Sequence, residues 1–85
     1  MKLNVRFFAS LKESMACDCL AVESELAPPT VAGLKQHLIE NNPSFAKALA
    51  EVGRLRAAVN QEMADDQSPL SENDEVAFFP PVTGG

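Results

Sequence analysis

The chain has no tryptophan or tyrosine among its 85 residues, and only one histidine, two cysteines and four glycines. Each shortage closes a route to function. Phenylalanine supplies every aromatic ring, so the core holds no indole or phenol that would need a polar partner. A single histidine and no tyrosine leave few groups able to move a proton near neutral pH. No G-x-G-x-x-G, phosphate-binding loop or H-E-x-x-H is present. Self-contained catalysis is therefore not expected. Cys17 and Cys19 are too close in sequence for an unstrained bridge, and zinc would need four ligands where only His37 could join them without carboxylates. They are expected to be free structural or incidental thiols, with no metal or cofactor bound by this chain.

Long apolar runs are missing as well, and so are basic ones. Nothing approaches the ~20 residues of a membrane span, and "MKLNVRFFASLKES" is too polar for a signal peptide. The seven Lys and Arg are scattered against twelve Asp and Glu, giving a net charge of −5. Phosphate backbones and anionic membranes repel such a surface, so no nucleic acid and no membrane partner is expected, and the expected location is cytoplasmic. An acidic surface is expected to complement basic rims on protein partners. Hydrophobic residues make up 46% of the chain and charged residues 22%, as in an ordinary folded protein. Eighty-five residues fit one domain, burying roughly 60% of the surface of the unfolded chain.

Periodicity then supplies the elements. Leu3, Val5 and Phe7 alternate with Lys2, Asn4 and Arg6, which predicts a half-buried strand. Ser10 is a candidate N-cap for one or two helical turns, and "CDCLAVE" predicts a second strand paired with the first. Thr30 is placed to cap a helix presenting Val31, Leu34 and Leu38, stopped by Asn41-Asn42-Pro43. Gly33 inside it points to close packing on a strand, while Lys35, Gln36, Glu40 and His37 are expected to face water. Phe45, Leu49 and Val52 predict a short second helix ending at Gly53. Leu55, Ala57 and Val59 predict a strand against Arg56, Ala58 and Asn60, then a turn at Asn60-Gln61 and a brief return at Met63-Ala64. The turn-rich "DDQSPLSENDE" leads to a last strand with Val76 and Phe78 inward, Ala77 and Phe79 outward. Strands around one long helix favour an α+β roll, a mixed sheet packed on one face by that helix.

From residue 76 to 85 no side chain is charged. Pro80 and Pro81 have no N–H, so they cannot extend a ladder and favour a stiff polyproline path. Six residues from Pro80 reach about 20 Å when extended. Gly84 and Gly85 lack side chains, so their backbone suits a channel too narrow for any Cβ. The pattern describes a probe: a rigid root and a slender tip bearing a carboxylate. A carboxylate is a poor electrophile and needs activation, for example by adenylation.

"NDEVAFFPPVTGG", with "LRAAVNQ" before it and "KLNVRFFASLKE" at the start, resembles the small subunits of molybdopterin synthase, which are ubiquitin-like sulfur carriers. The resemblance covers essentially the whole chain. It implies a β-grasp fold, with a domain over 1–79 and an extended tail over 80–85. It further implies that an adenylating enzyme resembling those that activate ubiquitin uses ATP to convert the Gly85 carboxylate to an acyl-adenylate. A sulfur donor then makes the thiocarboxylate. The tail would enter the large synthase subunit and give sulfur to cyclic pyranopterin monophosphate, with two transfers building the dithiolene. Gly85 carries the reacting group and Gly84 threads beside it. Phe79, Pro80, Pro81 and Val82 would pack on the large subunit, with Thr83 leading into the channel. Such a subunit lacks catalytic side chains and acts only with its large partner, in an assembly of two small and two large subunits. With Gly85 last, no processing step is expected. Alternatives are a sulfur carrier for thiamine biosynthesis, a ubiquitin-like modifier of protein lysines, or a binding module with an inert tail.

Overall fold

A computed structural model describes residues 1–81. Its first strand, β1 (Lys2–Phe7), buries Leu3, Val5 and Phe7 and exposes the residues between them. The elements that follow are α1 (Ser10–Met15), β2 (Cys19–Glu23), α2 (Val31–Asn41), α3 (Pro43–Val52), β3 (Arg56–Val59), β4 (Glu62–Ala64) and β5 (Glu75–Phe79). The strands form one sheet in the order β2-β1-β5-β3-β4. Only β1 and β5 run parallel; the other pairs are antiparallel. Val76 and Phe78 point inward beside Val5 and Phe7, as the alternation predicts.

Ser10 does not cap α1. Ala9 holds the cap position, with φ of 56°, and no side chain closes the helix end. The Phe8 N–H donates to the Phe78 carbonyl, so the chain is still tied to β5 there, and α1 begins at once in the phase that buries Leu11 and Met15.

Thr30 caps α2 as predicted, its hydroxyl accepting from the Gly33 N–H at 3.2 Å. The expected stop after it is a tight junction. Asn42 closes α2 through its own N–H to the Leu38 carbonyl, and its Oδ1 accepts from the Phe45 N–H to open α3. Pro43 fills the first helical position, where its missing N–H costs no bond, so α3 starts one residue before "SFAKALAEVG". The layer over the sheet thus holds the short α1 and two longer helices of similar length, of 11 and 10 residues, packed on each other. Phe45 of α3 joins it to the sheet, with ring centres 6.3 Å from Phe7 and 5.7 Å from Phe78.

Two further expectations change. Gly33 packs closely, but on a loop and not on a strand: a Cβ there would strike the Pro28 carbonyl oxygen. Lys35 is drawn from solvent to the Asp66 carboxylate, 2.7 Å away. The polar segment after β4 also has structural work. The Ser68 and Asp66 carbonyls accept from the Val31 and Ala32 N–H groups, satisfying the exposed donors at the start of α2. Asn60 and Gln61 both have positive φ, 50° and 70°, as a tight two-residue hairpin turn requires. Mixed sheet, helical layer on one face and a parallel pair at the centre together make a β-grasp fold, the α+β roll expected.

Candidate functional site

The side of the sheet away from the helices is open. Register places Cys19, Arg6, Ala77, Ala58 and Met63 in one row across all five strands. Beside this row, at the end where β5 leaves the sheet, Phe79 lies opposite Arg56. Phe8 reaches the same end, its N–H bonded to the Phe78 carbonyl. Met63 is 58% exposed and Phe8 44% exposed, the two large apolar side chains most open to solvent among the described residues. Ala58 and Ala77 between them are small, so the patch is shallow. Arg6 borders it, its guanidinium carbon 5.6 Å from the Phe8 ring centre and its Nη1 3.8 Å from Glu75.

Phe79 falls on this outer side, in the phase expected from sequence, and is half-buried. The ladder ends there because Pro80 and Pro81 have no N–H to donate. Pro81 lines an open groove of about 460 Å³ together with Arg54, Arg56, Lys35, Asp65 and Asp66. The structure therefore brings Phe79, Pro80 and Pro81 together as a half-buried root beside an apolar patch. Val82, Thr83, Gly84 and Gly85 lie outside the described residues.

Sequence reasoning did not single out Phe8, Met63, Ala58 and Ala77 as a surface. One signal was present: Phe8 continues β1 in its polar phase, where an alternating strand should place a charged or small residue. Elsewhere the side chains offer little chemistry. Cys17 is half-buried against the core, and Cys19 is exposed on the edge strand β2. His37 is half-buried, its carbonyl accepting from the Asn41 side chain. Among the described residues no three of His, Cys, Asp and Glu are grouped to hold a metal ion. Among them, too, no helix is long and apolar enough to cross a membrane.

Residues 5–85 match the ThiS family. The chain belongs to that family. It is 46% identical over 83 residues to the molybdopterin synthase sulfur carrier subunit of Escherichia coli K12, covering 98% of this chain and 99% of the relative. Among solved structures, SAMP1 of Haloferax volcanii superposes with a TM-score of 0.79 at 24% identity, over the full length of both chains. A protein–protein complex of subunits 1 and 2 of molybdopterin-converting factor from Helicobacter pylori 26695 gives a TM-score of 0.68 at 24% identity, again over both full lengths. At those identities the structural likeness speaks for the fold, and the fold is the ubiquitin-like β-grasp of this ThiS-family chain.

Proposed function

We propose that the chain is a sulfur carrier in molybdenum cofactor biosynthesis, the small subunit of a molybdopterin synthase. The observation that carries this reading is full-length identity of 46% to a molybdopterin synthase sulfur carrier subunit. The described surface supports this reading. An apolar outer patch adjoins a stiff root at Phe79, Pro80 and Pro81, so a partner docked there would meet the chain where its tail begins. The complex between subunits 1 and 2 in the Helicobacter pylori protein supports a large subunit as that partner.

In this reading the adenylating enzyme joins the Gly85 carboxylate to AMP with release of pyrophosphate. Sulfur from a donor attacks the acyl carbon and AMP leaves, giving a thiocarboxylate. In the large subunit the thiocarboxylate sulfur attacks a carbon of cyclic pyranopterin monophosphate and displaces the oxygen substituent there. Water then cleaves the acyl–sulfur bond of the resulting thioester, leaving sulfur on the pterin and returning Gly85 as a carboxylate. Two such transfers complete the dithiolene. Val82 would pack on the large subunit with the root, and Thr83 would lead Gly84 and Gly85 into its channel, where the glycines bring no Cβ to the walls. Within the chain the reacting group is a backbone carboxylate, so no catalytic side chain is required. The cytoplasm, where ATP is available, is the place proposed for this cycle.

The test is intact-mass spectrometry after incubation with the cognate adenylating enzyme, ATP and a sulfur source. The expected product carries one sulfur in place of one oxygen at Gly85, and deletion of Gly85 abolishes the change without unfolding the domain. A ladder of conjugates on protein lysines would replace this reading with that of a modifier, and an unchanged mass would leave an inert binding module.

A further inference from the structure

The chain contains three arginines, Arg6, Arg54 and Arg56. Strand register brings two of them, Arg6 and Arg56, to the outer face. Arg6 lies opposite Ala77, and Arg56 lies opposite Phe79. Arg54 lies two residues before Arg56, ahead of β3, and lines the groove beside Pro81. Of the lysines, Lys12 and Lys47 sit on the helices, Lys35 of α2 reaches the same groove but is bound to Asp66, and Lys2 lies on the outer phase of β1. Arg6 and Arg56 thus border the outer patch, and Arg54 joins Arg56 in the groove beside Pro81, at the sheet end from which the tail departs.

Their pairing differs. Arg6 has Glu75 as its neighbour. Arg54 and Arg56 are exposed, and among the described residues no carboxylate lies within salt-bridge distance of either. Both line the groove beside Pro81. Of the two carboxylates in that groove, Asp66 is bound to Lys35, and Asp65 is engaged in its own turn, accepting from the Gln67 N–H at 2.9 Å. A chain of net charge −5 therefore presents, among the described residues, two arginines without a carboxylate partner where its tail begins. Net charge alone predicts a basic rim on the partner; the local arrangement calls for the opposite sign.

We infer that Arg54 and Arg56 are specificity determinants that bind carboxylates of the large subunit, at the apolar mouth that receives the tail. This inference rests on the sulfur-carrier reading. A guanidinium presents a planar fork that matches a carboxylate with two parallel hydrogen bonds, a geometry an ammonium cannot reproduce. Flanked by Phe79 and Pro81, each such pair would be shielded from water on docking, which strengthens it. The acidic remainder of the surface would be repelled by the same mouth, so the pair sets orientation as well as attraction. Residues 80–85 span up to about 20 Å when extended, so groups at the root act on the partner's surface and not at the reacting carboxylate.

Binding of the full chain to its cognate large subunit, measured by calorimetry at low and high salt, tests this. Arg54→Glu/Arg56→Glu is compared with Lys12→Glu/Lys47→Glu, which changes net charge equally on the helical side. The arginine double is expected to bind about 100-fold more weakly at low salt, with the gap narrowing as salt screens it, and Arg54→Gln/Arg56→Gln about tenfold. The lysine double should stay within about threefold of wild type. Thermal unfolding of every variant should match wild type, because neither arginine has a partner within the described fold to lose. Unchanged or tighter binding by the arginine double overturns the inference, as does equal weakening by both doubles. A wild-type chain that neither acquires a thiocarboxylate nor binds the large subunit contradicts the sulfur-carrier reading itself.

Discussion

On the inner face of the sheet Phe7 and Phe78 are 1% and 0% exposed, whereas one residue further along the chain Phe8 is 44% exposed and Phe79 is half-buried. The residue type is the same and the positions are adjacent; only the phase of the strand differs. Inside, phenylalanine meets Phe45 and the helical layer, and its burial stabilises the fold. Outside, arginines border it: Arg6 lies over the Phe8 ring and Arg56 lies opposite Phe79. In the proposed reading, apolar area on the outer face would stabilise a complex in place of the domain, and the tail root at Pro80 and Pro81 adjoins it.

Substitution on either face should separate the two roles. Phe78→Ala removes the ring at the centre of the core and should cost about 3–5 kcal/mol of stability by urea unfolding, a large part of what a small domain possesses. Phe79→Ala should leave the unfolding midpoint nearly unchanged while weakening binding to the large subunit by roughly 1–2 kcal/mol, read by calorimetry. Equal losses of stability from the two variants would erase the distinction between the faces. Away from both, Gly33→Ala sharpens the comparison by being structural alone. Helix propensity favours the change by about 1 kcal/mol, yet the new methyl group meets the Pro28 carbonyl oxygen. Displacing that backbone should outweigh the gain, leaving a net loss of about 1–2 kcal/mol with binding unaltered. The smallest effect is expected from Asp66→Asn. Its partner Lys35 has a side chain 19% exposed and Asp66 one 57% exposed, so the lost pair should cost about 0.5 kcal/mol and less at high salt, by thermal unfolding.

Much of the fold was legible because strands and helices write their burial into sequence at periods of two and 3.6. Leu3, Val5 and Phe7, then Val31, Leu34 and Leu38, and finally Val76 and Phe78 are all buried as their spacing predicts. Features set by distant contacts were not legible. Ser10 yields its cap position to Ala9 because Phe8 is held by Phe78, a residue 70 positions away. The neighbour of Gly33 is a loop carbonyl that no periodicity encodes. The polar stretch after β4 looks like solvated turns, yet its carbonyls close the start of α2.

The candidate site divides in the same way. The outward phase of Phe79 and the stiffness of Pro80 and Pro81 are local properties. The surface made by Phe8, Ala58, Met63 and Ala77, and the meeting of Arg54 and Arg56 with the tail root, depend on the order in which strands pair. Gly84 and Gly85 were distinguished by composition and by resemblance, and their roles rest on chemistry proposed for the family to which the chain belongs.

The most direct test of that chemistry is a single-turnover reaction between the thiocarboxylated chain, its cognate large subunit and cyclic pyranopterin monophosphate, followed by intact-mass spectrometry. The sulfur-carrier account predicts that Gly85 returns to the mass of a carboxylate as sulfur appears in the pterin product, and that nothing happens without the large subunit. A thiocarboxylate that survives unchanged in the complete mixture, or that is lost equally fast when the large subunit is omitted, would contradict it.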